Sequence, residues 1–221
     1  MIAEELINQL IPPLKPGDTA GRALSWMEEF RCPQLPVVEN GKLLGFMTEE
    51  MIIDGNDLEK KVEHFKLVNE HCLVPSDAHF YEVVKVAGEY KMQVVAVLNN
   101  LKLYSGSITV SDIMATFSQT AAIQMPGSIL VLSMDLIDYS LAEIARLVEE
   151  NNAKIISSTL VQDPLDSSKI RLTIKINKSD LGRIVATLER FEFRIIGRYQ
   201  ETQFTDPEKE RFDLLMRYLN I

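Results

Sequence analysis

The residues with the clearest chemical potential lie in Gly106-Ser107-Ile108-Thr109-Val110-Ser111-Asp112. An apolar strand pattern over 101–108 runs into this stretch, and a helix pattern marked by Val110, Ile113, Met114 and Phe117 leaves it. Gly106 has no Cβ, so backbone or a ligand can come close. Thr109 can cap the helix with its hydroxyl. Asp112 follows one turn later on the same side. Free helix N–H groups suit a phosphate, and a carboxylate beside them suits ribose hydroxyls. The same Thr-x-x-Asp spacing is also close to a capping box, which would tie both side chains to the helix start.

Other chemistry-bearing residues are sparse. His64, His71 and His79 are the only histidines, and His71-Cys72 lacks a second ligand pair at zinc spacing, so no metal site is expected. No nucleophile elbow, phosphate-binding loop or dinucleotide fingerprint occurs. Asp135 and Asp138 flank a helix start, where aspartates also serve the helix dipole. Lys169, Arg171, Lys175, Arg194 and Arg198 form a basic strip that suits a carboxylate, a phosphate or an acidic partner, and that equally suits a solvated sheet face. The expectation is a protein that is not an enzyme and carries no catalytic cofactor.

The bulk properties agree. The 221 residues carry a net charge of −9, which disfavours nucleic acid and anionic membrane as partners. No apolar run approaches a membrane span. The start, Met1-Ile-Ala-Glu-Glu-Leu6, is acidic rather than basic as in a secretory signal. Cys32 and Cys72 are the only cysteines, far apart, which fits a reducing cytoplasm.

The elements that must position Thr109 and Asp112 occur twice. Pro16-Gly-Asp-Thr19 precedes a helix pattern of Ala20, Ala23, Leu24 and Met27. Gln34-Leu-Pro-Val-Val38 follows as a strand, Asn40-Gly41 as a tight turn, and Leu43-Leu-Gly-Phe-Met47 as a returning strand, before Thr48 opens a helix. Later, Pro75-Ser-Asp77 precedes Phe80, Val83, Val84 and Ala87. Strands over 93–98 and 101–108 then flank Asn99-Asn100, and Thr109 opens the next helix. Each copy reads strand, helix, strand, strand, helix, and one copy alone is too small for a good core, so the two should pack together. The polar stretch 54–61 reads as a linker between them.

This order, with Leu35-Pro-Val-Val38, Gly41-Lys-Leu-Leu-Gly45-Phe-Met-Thr48 and Gly106-Ser-Ile-Thr109-Val-Ser-Asp112, resembles a tandem pair of CBS domains, a Bateman module. The resemblance implies a sensor of adenosine compounds such as AMP, ADP, ATP, S-adenosylmethionine or cyclic dinucleotides. It places Thr109 and Asp112 at the ribose, with Gly106, Ser107 and Ser111 around them. In the first copy Met51 stands where the acid would be. That leaves Pro36 and Thr48 as a weaker first-copy site. It also implies that a helix can start there without an aspartate, so Asp112 is expected to do more than cap.

The last third changes order. A strand over 128–134, apolar on both faces, suggests a central position. Ser140-Leu-Ala-Glu143 is a capping box before Leu141, Ile144, Ala145 and Val148. Strands over 154–161 and 169–176 follow, the second alternating cleanly through Ile170, Leu172, Ile174 and Ile176. A helix carries Leu181, Ile184, Val185 and Leu188, and 191–199 reads as the last strand. The βαββαβ order predicts a ferredoxin-like sandwich and resembles an ACT domain. That resemblance implies an amino-acid site at Asp138-Tyr139-Ser140 and pairing into homodimers. The whole arrangement resembles AcuB-like acetoin-utilisation proteins. The expected architecture is therefore α+β: CBS-like domains over 1–58 and 59–121, an ACT-like domain over 127–204, and a C-terminal helix over 205–221 with Phe212, Leu215, Met216 and Leu219 on one face. The expected role is that of a cytoplasmic regulatory sensor of nucleotide. The alternatives are a dimeric interaction scaffold with degenerate sites, or amino-acid sensing through the last domain.

Overall fold

Thr19 starts the first regular helix. Its hydroxyl accepts from Arg22 N–H, and α1 (Ala20–Glu29) turns Ala20, Ala23 and Met27 inward. The computed structural model describes residues 1–200. After α1, strands β1 (Gln34–Glu39) and β2 (Lys42–Thr48) pair antiparallel around Asn40 and Gly41, both at positive φ. That geometry is the one an Asn-Gly hairpin turn favours. Helix α2 (Glu49–Gly55) closes the copy.

The leading strand expected of the first copy is reduced to one residue. Leu14 N–H donates to Pro36 C=O, and Val38 N–H donates to Leu14 C=O, both at 2.8 Å. Pro12, Pro13 and Pro16 surround Leu14 and have no N–H to extend the ladder. The stretch over 54–61 is also less loose than a linker. Asp54 and Gly55 end α2, while the Leu58 and Lys60 carbonyls accept from Gly21 and Ala20 N–H at 2.8 and 2.9 Å. The free N–H groups of the first turn of α1 are thereby satisfied.

In the second copy β3 (Leu73–Pro75) runs parallel to β4 (Val94–Leu98), with α3 (Phe80–Tyr90) as the crossover. The α3 cap is the His79 ring, whose Nδ1 accepts from Tyr81 N–H. Strand β5 (Tyr104–Thr109) returns antiparallel and feeds α4 (Val110–Ser118). It begins later than the apolar run at 101 because Asn99 Oδ1 accepts from both Leu101 and Leu103 N–H, folding 99–103 into a loop.

The N-terminal segment ties the copies together. Ala3 N–H donates to Ala78 C=O, Glu4 N–H to Ser76 C=O and Asn8 N–H to Ser107 C=O, so residues 1–8 lie on the second copy. Ala3 and Leu6 are buried in its core with Phe80, Val83, Val94 and Ile108. Three residues past Asn8 the chain has crossed over: Ile11 and Leu14 are buried with Ala20, Met27, Leu35 and Met47.

A second compact unit begins at Gln119. Helix α4 stops at Ser118, and a separate short α5 (Ala121–Gln124) precedes the sheet. Then follow β6 (Ser128–Asp135), α6 (Leu141–Glu149), β7 (Ile155–Gln162), β8 (Lys169–Ile176), α7 (Gly182–Arg190) and β9 (Arg194–Tyr199). The sheet order β7-β8-β6-β9, antiparallel throughout, is the ferredoxin-like order, with β6 internal. Ile144, Leu147, Val148, Ile184, Val185 and Leu188 from the helices pack on Leu130, Leu132, Leu172, Ile174 and Ile176. Strand β9 starts three residues later than the apolar run at 191 because Glu192 sits at φ 65°, which turns the chain.

The basic strip does not act as one surface. Arg171 Nε meets Asp163 at 2.7 Å and Lys169 meets Asp166 at 3.4 Å. Lys175 Nζ donates to the carbonyls of Ala122 and Ile123, and Arg198 pairs with Glu189 of α7. The helix expected over 205–221 lies outside the described residues. Among the described residues no helix is long and apolar enough to cross a membrane.

Candidate functional site

Thr109 is the last residue of β5 and sits directly before α4. Its position is set by pairing with Val94 and by Val110 N–H donating to Gln93 C=O at 3.0 Å. At this junction Asp112 N–H donates to Thr109 Oγ1 at 3.0 Å, and Thr109 N–H returns a bond to Asp112 Oδ2 at 3.0 Å. This is a reciprocal capping box. The Thr109 hydroxyl also donates to Asp112 Oδ2 at 2.6 Å. In the first copy Thr48 Oγ1 accepts from Met51 N–H without a carboxylate to answer it. The capping-box alternative for Thr-x-x-Asp is thus present: Asp112 answers the Thr109 N–H, a backbone donor that Met51 has no acceptor to satisfy in the first copy.

Thr109, Val110, Ser111 and Asp112 line a cavity of about 260 Å³ together with Asn8, Ile11, Phe30, Arg31, Cys32 and Gln93. Arg31 and Cys32 arrive there because α1 ends in a left-handed residue: Arg31 has φ 51° and its N–H donates to Glu28 C=O. Cys32 is buried. Burial pushes its thiol above the ordinary range, and the Asp112 charge adds to the shift, so the wall it forms is neutral. Asn8 Nδ2 donates to both carboxylate oxygens of Asp112, at 3.2 and 3.3 Å. The cavity thus offers one cation, hydroxyls, a carboxylate and the N-terminal end of a helix, which suit the phosphate and ribose of a nucleotide.

Two of the expected second-copy residues fall elsewhere. Gly106 is buried, and a Cβ there would run into Ile7 Cγ2, so the space its missing side chain leaves is filled by the chain itself. Ser107 is fully buried, its hydroxyl shares a hydrogen bond of 3.0 Å with Tyr104 Oη, and its carbonyl accepts from Asn8. In the first copy Thr48 lines a separate cavity of about 460 Å³ with Pro33, Gln34, Glu49, Glu50 and Ile53. Pro36 is not there. It is buried within β1, and Leu14 N–H donates to its carbonyl. Glu49 and Glu50 give this pocket the wrong charge for a phosphate.

The second unit holds a larger cavity of about 530 Å³, lined by Ser133, Asp135, Asp138, Glu143, Glu192, Lys169 and Arg194 together with Met134, Phe191 and Phe193. Of the expected ACT-type residues only Asp138 is present. Tyr139 packs against the core of the unit, and Ser140 is spent as the α6 cap, accepting from Glu143 N–H. Among the described residues no group of three or more His, Cys, Asp or Glu side chains is arranged to hold a metal ion.

Comparison with known proteins agrees with the first part of this geometry. Residues 3–55 match the CBS domain family. The match covers α1, β1, β2 and α2 of the first copy, and the architecture is mixed α+β, with a ferredoxin-like strand order in the second unit. A curated relative, inosine-5′-monophosphate dehydrogenase from Methanocaldococcus jannaschii, is 26% identical over 113 residues, 51% of this chain and 23% of that protein. The chain therefore spans about a quarter of that relative's length. A protein from the same organism is similar in structure, with a TM-score of 0.50 and 20% identity over 57% of this chain and 62% of that one. A CBS domain pair/ACT domain protein from Thermotoga maritima is similar with a TM-score of 0.49 and 17% identity, over 53% of this chain and 96% of that one.

Neither Asn8 nor Arg31 stood out in the sequence. Asn8 reaches Asp112 from 104 positions away, and Arg31 faces the cavity through a left-handed backbone at a helix end that no local glycine or asparagine announces.

Proposed function

We propose that the chain is a regulatory sensor, not an enzyme, and that an adenosine-type nucleotide binds in the second-copy cavity. In this reading Asp112 and Thr109 hold ribose hydroxyls, the start of α4 at Val110 and Ser111 faces phosphate, and Arg31 neutralises it. The observation that carries the reading is the convergence of Thr109, Asp112 and Arg31 on one cavity of about 260 Å³. The first-copy pocket, with Glu49 and Glu50 beside Thr48, stays empty of phosphate-bearing ligands. A cytoplasmic homodimer is the working unit. The test is a thermal-shift panel of AMP, ADP, ATP, S-adenosylmethionine and cyclic dinucleotides. A raised midpoint with any of them supports the sensor. No shift with all of them leaves a dimeric interaction scaffold with degenerate sites.

A second reading has its own observation. The 530 Å³ cavity of the second unit sets Lys169 and Arg194 among Asp135, Asp138, Glu143 and Glu192, which suits the two charges of a free amino acid. It needs neither Tyr139 nor Ser140. A midpoint raised by one amino acid and not by its amide, and abolished in Arg194→Ala, supports it.

A further inference from the structure

The Asp112 carboxylate is already occupied. It accepts from Thr109 N–H and the Thr109 hydroxyl, and Asn8 Nδ2 bridges its two oxygens at 3.2 and 3.3 Å. The two Thr109 bonds belong to the cap and can persist in a complex. The Asn8 bonds lie on the cavity side, since Asn8 and Asp112 both line it. We propose that Asn8 is an intramolecular latch, an amide seated where ligand hydroxyls would bond, and that ligand binding must displace it.

Two further observations bear on this. The cavity, at about 260 Å³, is slightly below the roughly 300–1,000 Å³ usual for small-molecule sites, so a nucleotide needs it to widen. The Asn8 side chain also holds the local turn, because its Oδ1 accepts from Leu10 N–H at 2.9 Å. Releasing the amide therefore loosens 8–10, the point where the N-terminal segment passes from the second-copy core at Leu6 to the first-copy core at Ile11. Leu10 itself is 73% exposed and offers little resistance. Ligand at Asp112 would in this way act on the N-terminal crossing between the copies, which gives the sensor an output.

The inference rests on the nucleotide reading, and titration with AMP and ATP separates the two. If a latch hydrogen bond to a charged group is worth about a factor of ten, Asn8→Ala should bind about tenfold more tightly than the parent chain. Asn8→Lys, which places a cation on Asp112, should bind more weakly. In the parent chain, nucleotide should speed hydrogen exchange at the Asn8 and Leu10 amides. Unchanged or weaker binding by Asn8→Ala, or slower exchange at those amides with nucleotide, overturns the latch. Should Asn8→Ala fail to fold, the exchange result in the parent chain decides alone. Should no nucleotide bind, the ligand reading fails and the latch is judged without ligand. Asp112→Ala must then speed exchange at Asn8 and Leu10, and unchanged exchange rejects it.

Discussion

Thr109 and Asp112 close on each other: the Asp112 amide donates to the Thr109 hydroxyl oxygen and the Thr109 amide donates to the Asp112 carboxylate, each at 3.0 Å. One pair of side chains thus starts a helix and presents a charge to a cavity. The two duties separate by mutation. Thr109→Ala should destabilise the protein by about 1 kcal/mol or somewhat more, and Thr48→Ala by less, because only Thr109 sits in a reciprocal box. Urea denaturation of both variants checks the order.

Gly106 serves the N-terminal segment, not a ligand. A Cβ there meets Ile7 Cγ2, so Gly106→Ala should cost about 1–3 kcal/mol through displacement of Ile7. The same change in an Ile7→Ala background should cost clearly less. A double-mutant cycle measures the coupling, and additive costs would show that Gly106 answers to something else.

The turn between β7 and β8 carries a pH response. Arg171 beside Asp163 holds its carboxyl below the usual range, and the Ser168 hydroxyl does the same for Asp166. Both values are lower folded than unfolded. Their contribution is therefore present above the unfolded value and is lost as pH falls through the folded ones. Thermal midpoints should drop below about pH 4, and Asp163→Asn should flatten that drop.

Burial drives the Cys72 thiol in the opposite direction, up to about 12. Its folded value exceeds the unfolded one, so the protonated thiol stabilises below the unfolded value and the contribution fades as pH rises toward 12. At pH 8 a disulfide exchange reagent should leave Cys72 unmodified in the native protein and label it in denaturant. Rapid native labelling would contradict its burial.

Much of this fold is written in local patterns. The alternation of Ile170, Leu172, Ile174 and Ile176 is β8 as it stands, because side-chain direction on a strand follows a period of two. Asn40-Gly41 and Thr48 mark the first hairpin and its following helix for equally local reasons. The site is only half local. Thr109 and Asp112 could be found from their spacing, but Asn8, Arg31 and Ile11 come from other elements, and only folding brings them to the same cavity. The errors share that cause. At Gly106 the space left by the missing side chain is filled by Ile7, and at Pro36 the carbonyl is taken by Leu14 N–H, both contacts made by a segment remote in sequence. Ser140 is the cap that its spacing to Glu143 marks, and Tyr139 packs against a core that a turn sequence does not reveal.

The central claim is that the second copy, through Asp112, binds a nucleotide and the first does not. Calorimetric titration of AMP and ATP into the parent chain, Asp112→Asn and Thr48→Ala tests it most directly, since asparagine keeps an acceptor for the cap while losing the charge. One site per chain should appear, weakened at least about tenfold in Asp112→Asn and unchanged in Thr48→Ala. Undiminished binding by Asp112→Asn, or binding lost in Thr48→Ala, would contradict the account.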